Sequence, residues 1–342
     1  MPVGIIYHPI YLQHDTGPHP ERAERLTALM DAVEKTDVRD LTVRLEPRPA
    51  TIEEITAVHT AQHVTEVRGV ASQGGGYLDL DTVVSARSYD AALMAAGGAI
   101  VGAEAVVKGE AGYTFAFVRP PGHHAGRQYG AGFCLFNNVA IAARYVQNNL
   151  DIQRVLIVDF DVHHGNGTQD VFYDDSSVLY FSTHQTPLYP GSGRVEETGR
   201  GAGEGYTINV PLPPGAGDST YTQAFEEVLV PAARRFQPQV ILVSAGYDAH
   251  WTDDIASMKL SVAGYAALAR CLKQLADDLC DGRLAFVLEG GYNLRALAAS
   301  AVATLRVLSG QQPEDPLGPP RPAPEPDVAP ILRRVRQLHH LT

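Results

Sequence analysis

Seven runs of apolar and β-branched residues recur along the chain, at 4–8, 113–118, 154–160, 177–183, 206–212, 239–245 and 284–290. A shorter eighth run falls at Leu41–Leu45. Most are continuous rather than alternating, as expected of strands buried on both faces. Between several of them lie stretches with helical spacing, at 87–107, 137–148, 219–236, 261–281 and 294–308. Strands alternating with helices predict an α/β architecture: a single open, mostly parallel sheet of about eight strands with helices on both faces. From Gln311 to Pro330 the chain becomes too rich in proline to be expected in packed structure, and a short basic helix is expected over roughly 331–341.

Composition narrows the picture. The formal charge of −12 makes nucleic acid an unfavourable partner. No run of eighteen apolar residues appears, so no membrane span is expected, and the first residues lack the pattern of a secretory signal. Cys134, Cys271 and Cys280 have neither the number nor the spacing of a disulfide framework or zinc knuckle, which suits a reduced, cytoplasmic setting.

The chemistry gathers at strand ends. Arg119–Ala125 (RPPGHHA), Asp159–Gln169 (DFDVHHGNGTQ), Ser182–Gln185 (STHQ), Ala245–His250 (AGYDAH) and Glu289–Asn293 (EGGYN) each close one of the apolar runs. In an open parallel sheet the carboxyl ends of strands meet at one crevice, so five such clusters predict one active site. Asp161 and His163 are two residues apart and point the same way, and Asp248 lies at the end of another strand. Two carboxylates and an imidazole suit a catalytic Zn²⁺, and the same donors would accept Fe²⁺ or Mn²⁺. The adjacent His123 and His124 are expected to transfer protons, with Asp159 partnering His123 and Asn166 partnering His124. Tyr292, after Gly290 and Gly291, is placed to donate to a developing oxyanion. Phe133 and Tyr189 are candidates for the walls of a narrow apolar slot.

Other signals are set aside. His59 and His63 lack the glutamate of a metalloprotease helix and are read as a solvated or capping face. His339 and His340 have no ligand partner nearby, and 73–76 is read as a flexible glycine loop.

These motifs, with YPGSG (189–193) and HPERAERL (19–26), resemble those of the zinc-dependent histone deacetylase family, including its bacterial and acetylpolyamine-cleaving members. The likeness runs from about Gly4 to about Leu308, and Asn166 resembles class II, where class I has aspartate. The resemblance implies the arginase/deacetylase fold, a catalytic domain over 1–310, and a tail over 311–342. It implies one Zn²⁺ on Asp161, His163 and Asp248, His123 and His124 as the proton-transfer pair, and Tyr292 as the carbonyl-polarising group. It implies a substrate channel at Phe133, Tyr189, Gly132, Gly290 and Gly291, and a rim aspartate at Asp81. It also implies structural K⁺ at Asp159, Asp161, His163, Ser182 and Thr183, and at Phe172, Asp175, Val178 and Tyr206. Ile255 stands where polyamine-selective relatives carry a glutamate, which weakens that reading, although Asp253 and Asp254 lie close by.

The expected reaction is removal of an acyl group from a lysine side chain of a protein or peptide, with hydroxamates expected to inhibit. The alternative substrate is an acetylpolyamine or another small acylated amine. Two readings stand further off: a two-manganese ureohydrolase, for which an extra ligand set is missing, and an inactive acyl-binding scaffold, although every expected position is filled.

Overall fold

All eight apolar runs become strands of one sheet. The computed structural model describes residues 2–341. Its strands are β1 (Val3–Ile6), β2 (Thr42–Leu45), β3 (Gly75–Tyr77), β4 (Val83–Ser85), β5 (Tyr113–Ala116), β6 (Val155–Asp159), β7 (Val178–Gln185), β8 (Thr207–Leu212), β9 (Val240–Ala245) and β10 (Leu284–Leu288). Eight of them form a sheet in the order β2-β1-β5-β10-β9-β6-β7-β8. Every pairing in that sheet is parallel. β6, β7, β9 and β10 are buried along their whole length, which explains why their sequences do not alternate.

The expected helices appear as Ser88–Lys108, Asn138–Asn149, Val262–Leu279 and Leu294–Leu308, with Asp218–Phe236 interrupted by a π-helical stretch. Side-chain caps mark several starts: Asn137 accepts from Ala140 N, Ser261 from Gly264 N, and Asn293 from Arg295 N and Ala296 N. The helix Ser88–Lys108 is long and apolar enough to cross a membrane by length and composition alone. Here 72% of its most apolar window is buried in the interior, as in the core helix of a globular domain.

Three expectations need correction. The glycine stretch at 73–76 is not simply a loop, because Gly75 and Gly76 begin β3, which pairs antiparallel with β4. His59 and His63 are buried, not solvated. His59 Nδ1 lies 2.8 Å from Gly126 O, its Nε2 accepts from Asn137 N at 2.9 Å, and His63 Nε2 lies 2.9 Å from Leu135 O. The two rings thus brace the 126–137 segment.

The proline-rich stretch is packed too, although residues 311–328 form neither helix nor strand. Trp251 Nε1 donates to Gly318 O at 3.1 Å. Glu325 accepts from Gly217 N, Ser219 N, Thr220 N and Thr220 Oγ1 at 2.6–3.1 Å, capping the helix Asp218–Ala224 from a distant point in the chain. The helix Ala329–Leu338 then buries Leu332 and Val335 in the main core.

Candidate active site

The five polar clusters lie at or just past the carboxyl ends of β5, β6, β7, β9 and β10, which are immediate neighbours in the sheet. Their side chains are therefore gathered along one carboxyl edge of the sheet.

Asp161, His163 and Asp248 are all buried, and each offers a ligand atom within 4.8 Å of the others. His163 Nδ1 lies 3.0 Å from Asp161 Oδ1 and 3.3 Å from Asp248 Oδ2. Asp248 Oδ2 has no hydrogen-bond partner among the described residues. Burial followed by the neighbouring Asp161 pushes the Asp248 carboxyl up to about 6. Burial acts the same way on Asp161, but His123 and His163 outweigh it and hold that group below the usual carboxylate range. A β-carbon at Gly246 would run into the Asp161 carboxylate, and one at Gly290 into the carboxylates of both Asp248 and Asp161. Two crowded buried carboxylates, an imidazole, an unpartnered oxygen and side-chain-free space beside them fit a divalent cation.

The histidine pair stands beside this cluster, its rings 4.0 Å apart. His123 Nδ1 lies 3.1 Å from Asp159 Oδ2, and its Nε2 lies 3.8 Å from Asp161 Oδ1. His124 Nδ1 lies 2.7 Å from Asn166 Oδ1. Burial opposes charge on both rings, but at His123 the Asp159 and Asp161 carboxylates outweigh it and raise the pKa to about 10. At His124 burial acts together with the neighbouring His123 and His163, so its pKa falls well below the ordinary histidine value. Adjacent residues with unlike partners thus acquire opposite basicities.

Tyr292 meets Phe133 edge-on at 6.0 Å, with the Arg25 guanidinium 5.0 Å from its ring centre. Gly291 takes a φ of 113°, a conformation that places glycine at the turn into Tyr292. Tyr189 stands edge-on to His124 at 5.0 Å and is 43% exposed. Phe133 and Tyr189 each belong to the site, but they pair with different partners: Phe133 with Tyr292 and His19, Tyr189 with His124 and His163. A β-carbon at Gly132 would press on His124 and Tyr189. Asp81 lies exposed between β3 and β4, and Ile255 is half-buried after Asp248. Some of the residues named for potassium are neighbours. Asp159 pairs in register with Ser182 on β7, Asp175 N donates to Phe172 O at 3.0 Å, and Tyr206 O accepts from Tyr180 N just after Val178.

With this geometry in place, the comparisons are direct. Residues 19–308 match the model of the histone deacetylase domain. The chain belongs to the histone deacetylase family. It is 45% identical over 314 residues to a probable deacetylase of Archaeoglobus fulgidus, covering 91% of this chain and 87% of that protein. It is 40% identical over 316 residues to histone deacetylase 10, chloroplastic, of Oryza sativa subsp. japonica, covering 87% of this chain and 71% of that one. The crystal structure of the HDA15 HD domain superposes with a TM-score of 0.90 at 38% identity, covering 99% of this chain and 96% of that chain. The sheet is accordingly that of the arginase/deacetylase fold. Like its deacetylase relatives, the protein is a hydrolase that acts on an acylated substrate at an amide bond.

The roles of two groups at the candidate site escape sequence reading. Glu289 is fully buried, and its Oε2 accepts from Gly122 N at 2.6 Å and His123 N at 3.2 Å, bracing the turn that presents the histidines. Burial pushes its carboxyl up to about 7. Asp253, noted in the sequence only as lying close to Ile255, is buried, with its carboxylate committed to the backbone at Tyr292, Asn293 and Ile255. The available signal in each case was a carboxylate within or beside a strand-end motif; the backbone donors come from distant segments.

Proposed function

We propose that this histone deacetylase family member is a zinc-dependent deacylase of lysine side chains in proteins or peptides. The observation that carries the reading is the buried Asp161–His163–Asp248 cluster beside two histidines of opposite basicity. Asp161, His163 and Asp248 would hold Zn²⁺, which supplies Lewis acidity for the acyl oxygen and acidifies a water molecule. His124, with Nδ1 tied to Asn166 and a depressed pKa, is neutral and accepts the proton of the attacking water. The Tyr292 hydroxyl donates to the oxyanion that forms at the carbonyl. His123, kept protonated by Asp159, supports the proton inventory of the pair, and a proton from the pair reaches the departing amine, which is too basic to leave otherwise.

The lysine stem would run between the Phe133 side and the Tyr189 side, past Gly132, towards Gly290 and Gly291. Asp81 is the rim group for the substrate backbone. We extend the reading to structural K⁺ near Ser182 and Thr183, where Thr183 Oγ1 is buried without a partner among the described residues, and near Phe172, Asp175, Val178 and Tyr206. The commitment of Asp253 to backbone donors, with apolar Ile255 beside it, favours lysine over a polyamine. Side-by-side turnover of an acetyl-lysine peptide and an acetylated polyamine tests this. Faster peptide cleavage, blocked by a hydroxamate, is expected. Faster polyamine cleavage would overturn the substrate assignment, and no turnover of any acyl amine would overturn the deacylase reading.

A further inference from the structure

His124 has one proton to place on two ring nitrogens, and Asn166 alone does not settle which one carries it. An asparagine offers a carbonyl on one side and an amino group on the other, and a flip of that amide would reverse the demand on His124 Nδ1. Beyond Asn166 the hydrogen bonds continue. Asn166 Nδ2 donates to the hydroxyl oxygen of Tyr129 at 3.1 Å, and that hydroxyl donates to Asp170 Oδ2 at 2.5 Å. Asn166 and Asp170 lie four residues apart on the helix Asn166–Phe172, so both face the same hydroxyl.

The chain that delivers Tyr129 is built for it. Gly126 N donates to Tyr129 O at 3.0 Å, closing a tight turn just after the histidine pair. The Tyr129 ring folds back over that turn so closely that a β-carbon on Gly126 would run into it.

The order of donors has a direction. A carboxylate only accepts, so the single proton of Tyr129 goes to Asp170. The Tyr129 oxygen is then an acceptor towards Asn166, which draws the amino side of the amide to itself and turns the carbonyl to His124. His124 must donate from Nδ1, leaving Nε2 bare. We propose that Tyr129 and Asp170 are positioning residues that hold the Asn166 amide in one orientation and so lock His124 in the tautomer with a free Nε2. The consequence for turnover rests on the deacylase reading above; the tautomer itself does not.

The test is a double-mutant cycle. Tyr129→Phe is expected to lower kcat on an acetyl-lysine peptide on the order of tenfold, with KM and hydroxamate affinity within about twofold of wild type. In an Asn166→Asp background either side-chain oxygen can accept from His124, so no orientation remains to be held. There Tyr129→Phe is expected to change kcat by less than about twofold. Equal losses in both backgrounds would mean a merely structural hydroxyl and would overturn the proposal, as would wild-type kcat in the single variant. Wild-type protein without turnover would sink the deacylase reading instead. In that case ¹⁵N-histidine spectra decide the relay: Nδ1–H on His124 in wild type and a mixture in Tyr129→Phe support it, and Nε2–H in wild type rejects it.

Discussion

The buried Asp253 carboxylate accepts the backbone N–H of Tyr292 at 2.6 Å and that of Asn293 at 2.8 Å with the same oxygen. The tyrosine assigned to oxyanion stabilisation is thus held through its main chain by a residue from the loop after β9. Asp253→Ala should lower kcat by about tenfold with little change in bound metal, because the hydroxyl survives but loses its anchor. Steady-state kinetics with metal analysis of the same sample checks this.

Tyr292→Phe should be more severe. It removes the hydroxyl and leaves the ring against Phe133, so kcat should drop by about 10²–10³-fold. Zinc content should equal that of wild type. Retained turnover would remove Tyr292 from the chemistry.

Metal removal separates the cluster from its surroundings. Dialysis against a chelator should abolish turnover, and one equivalent of Zn²⁺ should restore it. Asp248→Ala should show no such rescue at that concentration, since it deletes one of the three converging donors. A wild-type requirement for two metal ions per chain would point to the ureohydrolase alternative.

How far this was legible in advance varies by residue. The sheet strands were readable because burial on both faces writes itself as unbroken apolar runs such as Val155–Asp159. The convergence of His123, Asp161, Asp248 and Tyr292 was readable because each sits just past such a run. β3 and β4 were not, being three residues each with two glycines in β3. His59 and His63 were misread because their partners, Gly126, Asn137 and Leu135, belong to a segment more than sixty residues away. Glu325 escaped for the same reason, since its donors at 217–220 are over a hundred residues away.

Glu325 should be measurable as a clasp. Glu325→Ala leaves the first N–H groups of the helix Asp218–Ala224 without their acceptor, which should cost about 1–2 kcal/mol in denaturant unfolding. Turnover by folded protein should be unchanged.

Acid should destabilise the fold through buried neutral histidines. Burial and the adjacent His63 lower the pKa of His59 to about 3, and burial lowers that of His14 to about 4. In the unfolded chain both titrate near ~6.5. Above that value neither state binds the proton; as pH falls below it, the unfolded chain takes protons that the folded one refuses. Stability should therefore decline from about pH 6.5 towards the folded values, by up to about 1.4 kcal/mol per pH unit for each histidine. Unfolding free energies at pH 7, 6 and 5 check the slope, and His59→Gln should flatten it.

The place of β10 in the sheet bears on how the protein is made. It is the last strand among the described residues, yet it lies between β5 and β9. Without residues 284–288, β2-β1-β5 and β9-β6-β7-β8 have no strand to join them and can pair only as two half-sheets with open edges. The strand that closes the gap also brings in Glu289, which braces the histidine turn, and leads directly to Tyr292. A nascent chain therefore brings the candidate site together only once residues 284–292 have been made, and the same insertion that completes the hydrophobic interior assembles that site.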